Sequence, residues 1–88
     1  MYMKDKLDKF ENLVKKELTR ARLSHGKQSS IHEGYAILLE EVDEFWEHVR
    51  AKSEKRNYKE LLGELVQIAS SAQKTAEDIV FPKLKKRR

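Results

Sequence analysis

The stretch SIHEGYAILLEEVDEFWEHV, residues 30–49, carries two patterns at once. Ser30 followed three residues later by Glu33 is a capping-box pair, in which each side chain satisfies a backbone donor left open by the first helical turn. A helix is predicted to start there. At about 100° per residue, Tyr35, Leu38, Val42, Phe45, Trp46 and Val49 share one side and predict a core-facing stripe. Glu33, Glu40, Glu44 and Glu47 share the other, with Glu41 on the edge between them. Exposed helix faces usually mix signs so that residues one turn apart attract. Here Glu40, Glu41, Asp43, Glu44 and Glu47 are met only by His48 and Arg50, and such a row invites a cation.

Upstream, Met3, Leu7, Phe10, Val14, Leu18 and Ala21 recur at three- and four-residue steps, which predicts a helix over 5–23. Leu13 and Leu23 lie off that stripe and suit a second contact. Gly26 supplies the stop. Downstream, a charged connector runs from Ala51 to Asn57. Asn57 then caps a third helix with Glu60 at the capping-box position. Tyr58, Leu61, Leu62, Leu65, Ile68, Ala69, Ala72, Ala76 and Ile79 form its broad apolar face. That helix is expected to end near Val80, with Pro82 blocking continuation. Gly63 costs about 1 kcal/mol relative to Ala inside a helix, which predicts another backbone close by.

These patterns make the chain all-α: one helical domain over 1–82 and a basic tail over 83–88. Short connections favour an antiparallel helical bundle of three main helices. A chain of 88 residues buries only about 60–65% of its unfolded surface, so completion by oligomerisation, as a homodimer or homotetramer, is expected.

Composition excludes several classes. Without cysteine there is no disulfide, thiolate metal site or cysteine nucleophile. No apolar run reaches the roughly 18–20 residues of a membrane span, and the start MYMKDKLDKF has no signal-peptide core; a cytoplasmic location is the expectation. Net charge is +4, much of it in the final KLKKRR. That tail has no interleaved aromatics, so it reads as solubilising rather than nucleic-acid-binding. There is no glycine-rich phosphate loop, and no Ser-His-Asp pattern stands out.

If the second and third helices are antiparallel neighbours, Glu41 and Glu44 face Glu64 and Gln67 across one cleft. Hard divalent ions such as Mg²⁺ take oxygen ligands of this kind and share the rest of their shell with water and phosphate. His48 is expected to pair one turn back with Glu44 or Glu41. Lys27 and Lys74 are candidates to meet phosphates as point charges, and Tyr35 to line a pocket.

The run Glu40-Glu41-Val42-Asp43-Glu44, followed on the next helix by Glu64-Leu65-Val66-Gln67, resembles the MazG-like all-α nucleoside triphosphate pyrophosphohydrolases, whose pattern is E-E-x-x-E and then E-x-x-D. The likeness spans roughly His32 to Ile79. It implies Mg²⁺-dependent (or Mn²⁺-dependent) cleavage between the α and β phosphates, giving a nucleoside monophosphate and pyrophosphate. It implies Glu41, Glu44 and Glu64 as metal ligands and Glu40 as the group that orients or deprotonates the attacking water. Gln67 stands where the pattern has Asp. That departure leaves an alternative, a non-catalytic helical protein acting by nucleotide binding or protein contacts.

Overall fold

In a computed structural model, which describes residues 2–85, the chain forms α1 (Tyr2–His25), α2 (Ile31–Val49), α3 (Tyr58–Thr75) and a short α4 (Phe81–Lys85). A 3₁₀ turn (Ser53–Lys55) leads into α3, and one π-helical turn (Ala76–Val80) joins α3 to α4. Among the described residues there is no strand, and no helix is long and apolar enough to cross a membrane. Of the tail expected over 83–88, residues 83–85 are helical and the remainder lies outside the described residues.

Local chemistry sets the helix ends. The Glu33 N–H donates to Ser30 Oγ at 3.0 Å. The return bond is displaced by one residue, because the Glu33 carboxylate accepts from the Ser29 N–H at 2.6 Å and the Ser29 hydroxyl at 2.8 Å. Asn57 Oδ1 accepts from the backbone of Lys59 and Glu60 at 3.0 and 3.1 Å. Gly26, at φ +73°, closes α1 with its N–H on the Arg22 carbonyl at 3.3 Å, the left-handed ending that glycine favours. The Arg56 guanidinium donates to the Val49 carbonyl and so satisfies an open acceptor at the end of α2.

Pro82 does not stop the helix. In a regular α-helix its ring would collide with the carbonyl four residues back. Here the Phe81 N–H reaches the Ala76 carbonyl, five residues back. The widened turn restarts the register, and proline is tolerated in the first turn of the segment that follows.

Both α1 and α2 pack on α3, the latter pair more extensively. The bundle is open rather than closed. Its radius of gyration is 15.1 Å, against roughly 12 Å for a compact domain of this length, and its extents are 52 × 34 × 24 Å. Among the described residues the buried hydrophobics are Val14, Leu18 and Val66.

Packing corrects the reading of two faces. The side of α2 turned to α3 holds buried Gly34 and half-buried Ile37, Leu38, Glu41, Phe45 and His48, so it is rotated away from the predicted stripe. Tyr35 and Trp46 are 67% and 55% exposed, and Val42 is exposed too. The reason lies at Gly34, where a Cβ would meet Thr75 Oγ1 at 2.5 Å and Gln28 Oε1 at 2.9 Å. The missing side chain lets α2 approach α3 along that line. Gly63, predicted for a close approach, has open space around it.

Candidate functional site

Antiparallel packing brings Glu41 and Glu44, one turn apart on α2, opposite Glu64 of α3. One carboxylate oxygen from each lies within 4.8 Å of the others. The three line a cleft of about 580 Å³ together with His48, Glu60, Gly63 and Gln67. The helix wheel explains the placement: Glu41 is the carboxylate nearest the packed side of α2, Glu44 lies one turn on, and Glu64 is half-buried on the side of α3 between its two neighbours. Glycine at 63 leaves the floor open.

The electrostatics are strained toward a cation. Glu41 Oε1 and Glu64 Oε1 are buried without a hydrogen-bond partner, a state that costs free energy unless a donor or cation fills it. Burial, then the charges of Glu44 and Glu64, push the Glu41 carboxyl up to about 6. His48 does not turn back toward Glu41 or Glu44 as predicted. It reaches across to α3, with Nδ1 3.7 Å from Glu60 and Nε2 3.5 Å from Glu64, because its position faces the neighbouring helix.

Gln67 lines the cleft, and its amide also helps hold the Glu17 carboxylate of α1 below its usual range, after the Arg20 guanidinium and against burial. Glu17 also adds its charge to the surroundings of Glu41. Helix α1 thus contributes a neighbour that spacing along α2 and α3 did not disclose.

The other predicted residues lie elsewhere. Glu40 is exposed on the solvent side of α2, one turn from Glu44 and outside the lining of the cleft. Tyr35 is on the opposite, apolar side of α2. Lys27 lines a separate hollow with Ser29, Ser30 and Lys83 at the start of α2. Lys74 sits ten residues beyond Glu64, roughly 15 Å along the helix, and is buried.

Lys74 belongs to a polar clasp missed in the sequence. Its ammonium donates to Asp78 at 2.9 Å and to the Gly26 carbonyl. Asp78 also accepts from Arg22 at 2.8 Å and from the Gln28 N–H at 2.9 Å, and the Thr75 hydroxyl donates to Gln28 Oε1 at 2.9 Å. Burial opposes ionisation of Asp78, yet the Gln28 N–H, Arg22 and Lys74 hold it far below the usual carboxylate range. The i,i+4 spacing of Lys74 and Asp78 is the one signal the sequence offered; the partners come from residues 47 to 56 positions away.

Compared with family models, curated proteins and solved structures, the chain finds no match in any of the three.

Proposed function

We propose that the chain is a divalent-cation-dependent nucleoside triphosphate pyrophosphohydrolase, working as a homo-oligomer, in keeping with the MazG-like pattern that its second and third helices resemble. The observation that carries the reading is the convergence of Glu41, Glu44 and Glu64 within 4.8 Å, with two buried oxygens lacking any partner. An oxygen-only donor set with surplus negative charge fits Mg²⁺ or Mn²⁺.

In this reading Glu41, Glu44 and Glu64 hold the ion and Gln67 offers a neutral amide oxygen at the rim. When bound, the ion neutralises phosphate charge and acidifies a nearby water. The resemblance assigns to Glu40, one turn from Glu44 and outside the cleft lining, the proton of the attacking water, whose oxygen would add to the α-phosphorus as the pyrophosphate oxygen departs. Lys27 and Lys74 are poorly placed to meet the phosphates: Lys74 is committed to Asp78, and Lys27 stands at the far hollow.

One observation favours the alternative, a protein that binds nucleotide without cleaving it: the cleft carries the neutral Gln67 where the pattern has an aspartate. Pyrophosphate release from a panel of ribo- and deoxyribonucleoside triphosphates, with Mg²⁺ or Mn²⁺, separates the two. Release abolished by Glu41→Gln and by Glu64→Gln supports the hydrolase. Binding without release supports the alternative.

A further inference from the structure

The hollow between the start of α2 and the π turn after α3 measures about 600 Å³. It stands apart from the acidic cleft, since Ile31 on its wall is ten residues from Glu41, roughly 15 Å along α2. Ile31, Ile79 and Pro82 line it with apolar surface, and Lys27 and Lys83 border them. Small-molecule sites have this make-up, a few polar groups converging on an apolar lining of about 300–1,000 Å³.

Its polar groups are donors left without acceptors. Gln28, also in the lining, is only 6% exposed. Its Oε1 accepts from Thr75 and its backbone N–H donates to Asp78. The remaining amide nitrogen, Nε2, donates to nothing among the described residues, yet it is not sealed off as one oxygen each of Glu41 and Glu64 is. The clasp thus fixes a nine-tenths-buried donor in the wall of the hollow. Asp78, the one acidic residue of the lining, is spent on Arg22 and Lys74. Lys27 and Lys83 have no acidic partner among the described residues. The π turn that supplies Asp78 and Ile79 is itself a feature frequent at functional sites.

We propose that this hollow binds a phosphate monoester carried on an apolar body, its oxygens taken by Lys27, Lys83 and the Gln28 amide and its apolar part by Ile31, Ile79 and Pro82. A phosphate monoester brings about 1.5–2 negative charges and three acceptor oxygens, which match two ammonium groups and one amide. A carboxylate, with one charge and two oxygens, leaves an ammonium unmatched. The proposal rests on no reading of the acidic cleft.

NMR titration of the full chain, free of divalent cations so that the cleft stays out of play, tests it with phenyl phosphate as the probe. Saturable shifts are expected at the Gln28 side-chain amide and over residues 27–31 and 79–83. Phenyl phosphate should bind more tightly than inorganic phosphate, and phenol should not bind. Lys27→Gln combined with Lys83→Gln, both at exposed positions, should weaken binding by about tenfold, the loss of charge-assisted contacts. Lys55→Gln, at the far end of α2, and Glu64→Gln, in the cleft, should leave it unchanged. Phenyl phosphate bound no better than inorganic phosphate, shifts centred elsewhere, or binding indifferent to the Lys27 and Lys83 changes overturns the proposal.

Discussion

Glu41 and Glu64 confront each other across the α2–α3 interface, and each buries one carboxylate oxygen that nothing in the fold satisfies. The arrangement costs stability in the empty protein. With its carboxyl raised from an ordinary 4.5 to about 6, Glu41 binds its proton more tightly folded than unfolded. Its unfavourable contribution is absent below about pH 4.5, grows as pH rises and is complete above 6. Glu41→Gln, a mimic of the protonated form, is expected to match the parent in melting temperature at pH 4.5 and exceed it by about 2–4 °C at pH 7. Melting curves of both proteins at the two pH values check this; a constant difference refutes it.

The same strain makes a cation stabilising. Mg²⁺ or Mn²⁺ at a hundred times its dissociation constant adds about 2.7 kcal/mol, which for a chain of this size raises the melting temperature by about 10 °C or more. The rise should disappear in Glu64→Gln and weaken below pH 6, where a proton competes at Glu41. Equal stabilisation of parent and variant by Mn²⁺ would place the ion elsewhere.

Gly34 is a second point of tension. An added methyl would press on the β-branched side chain of Thr75 and on buried Gln28, neither of which can swing freely away. Gly34→Ala is predicted to destabilise by about 1–3 kcal/mol, whereas Gly63→Ala, with open space around it, should stabilise by up to about 1 kcal/mol through helix propensity. Urea denaturation of the two variants decides the order.

These two glycines show how far the sequence could be read. Helix starts at Ser30 and Asn57 were legible because a cap is local, and the carboxylate trio was legible because helical spacing and one antiparallel pairing suffice to bring it together. What stayed hidden depended on rotation and distance. Nothing within α2 distinguishes Gly34 from Val42 as the residue that meets α3, so the inward side was read one strip off. The Asp78 clasp joins residues 22–28 to residues 74–78, two segments far apart in the chain, and the π turn that carries the helix past Pro82 has no compositional mark.

Asp78 lets that clasp be tested. Removing its carboxylate leaves Lys74 buried beside Gly26 with no counter-charge, strips the Gln28 N–H of its acceptor and leaves Arg22 with Glu77 alone. Asp78→Ala is expected to lose about 3 kcal/mol, a large share of the stability of a small domain. Stability should also fall in the parent as pH drops below the unfolded aspartate value of 3.8, since the depressed carboxyl favours the fold only while ionised. Denaturant titrations at pH 3 and pH 6 on parent and variant should show the gap narrowing at the lower pH without closing, because the folded carboxyl stays ionised there.

Gln67 decides how much chemistry the cleft performs. An aspartate there adds a fourth carboxylate beside Glu41, Glu44 and Glu64 and removes the amide that helps keep Glu17 ionised. Without cation, the added repulsion should lower the melting temperature of Gln67→Asp. With cation, extra ligand charge strengthens the site, so apparent Mn²⁺ affinity should rise by about tenfold and pyrophosphate release should quicken with it. The two effects have opposite signs only if position 67 faces the ion. A variant that melts lower but gains neither affinity nor release would mean that Gln67 serves the α1–α3 contact through Glu17, and that the cleft takes its ion from three carboxylates alone.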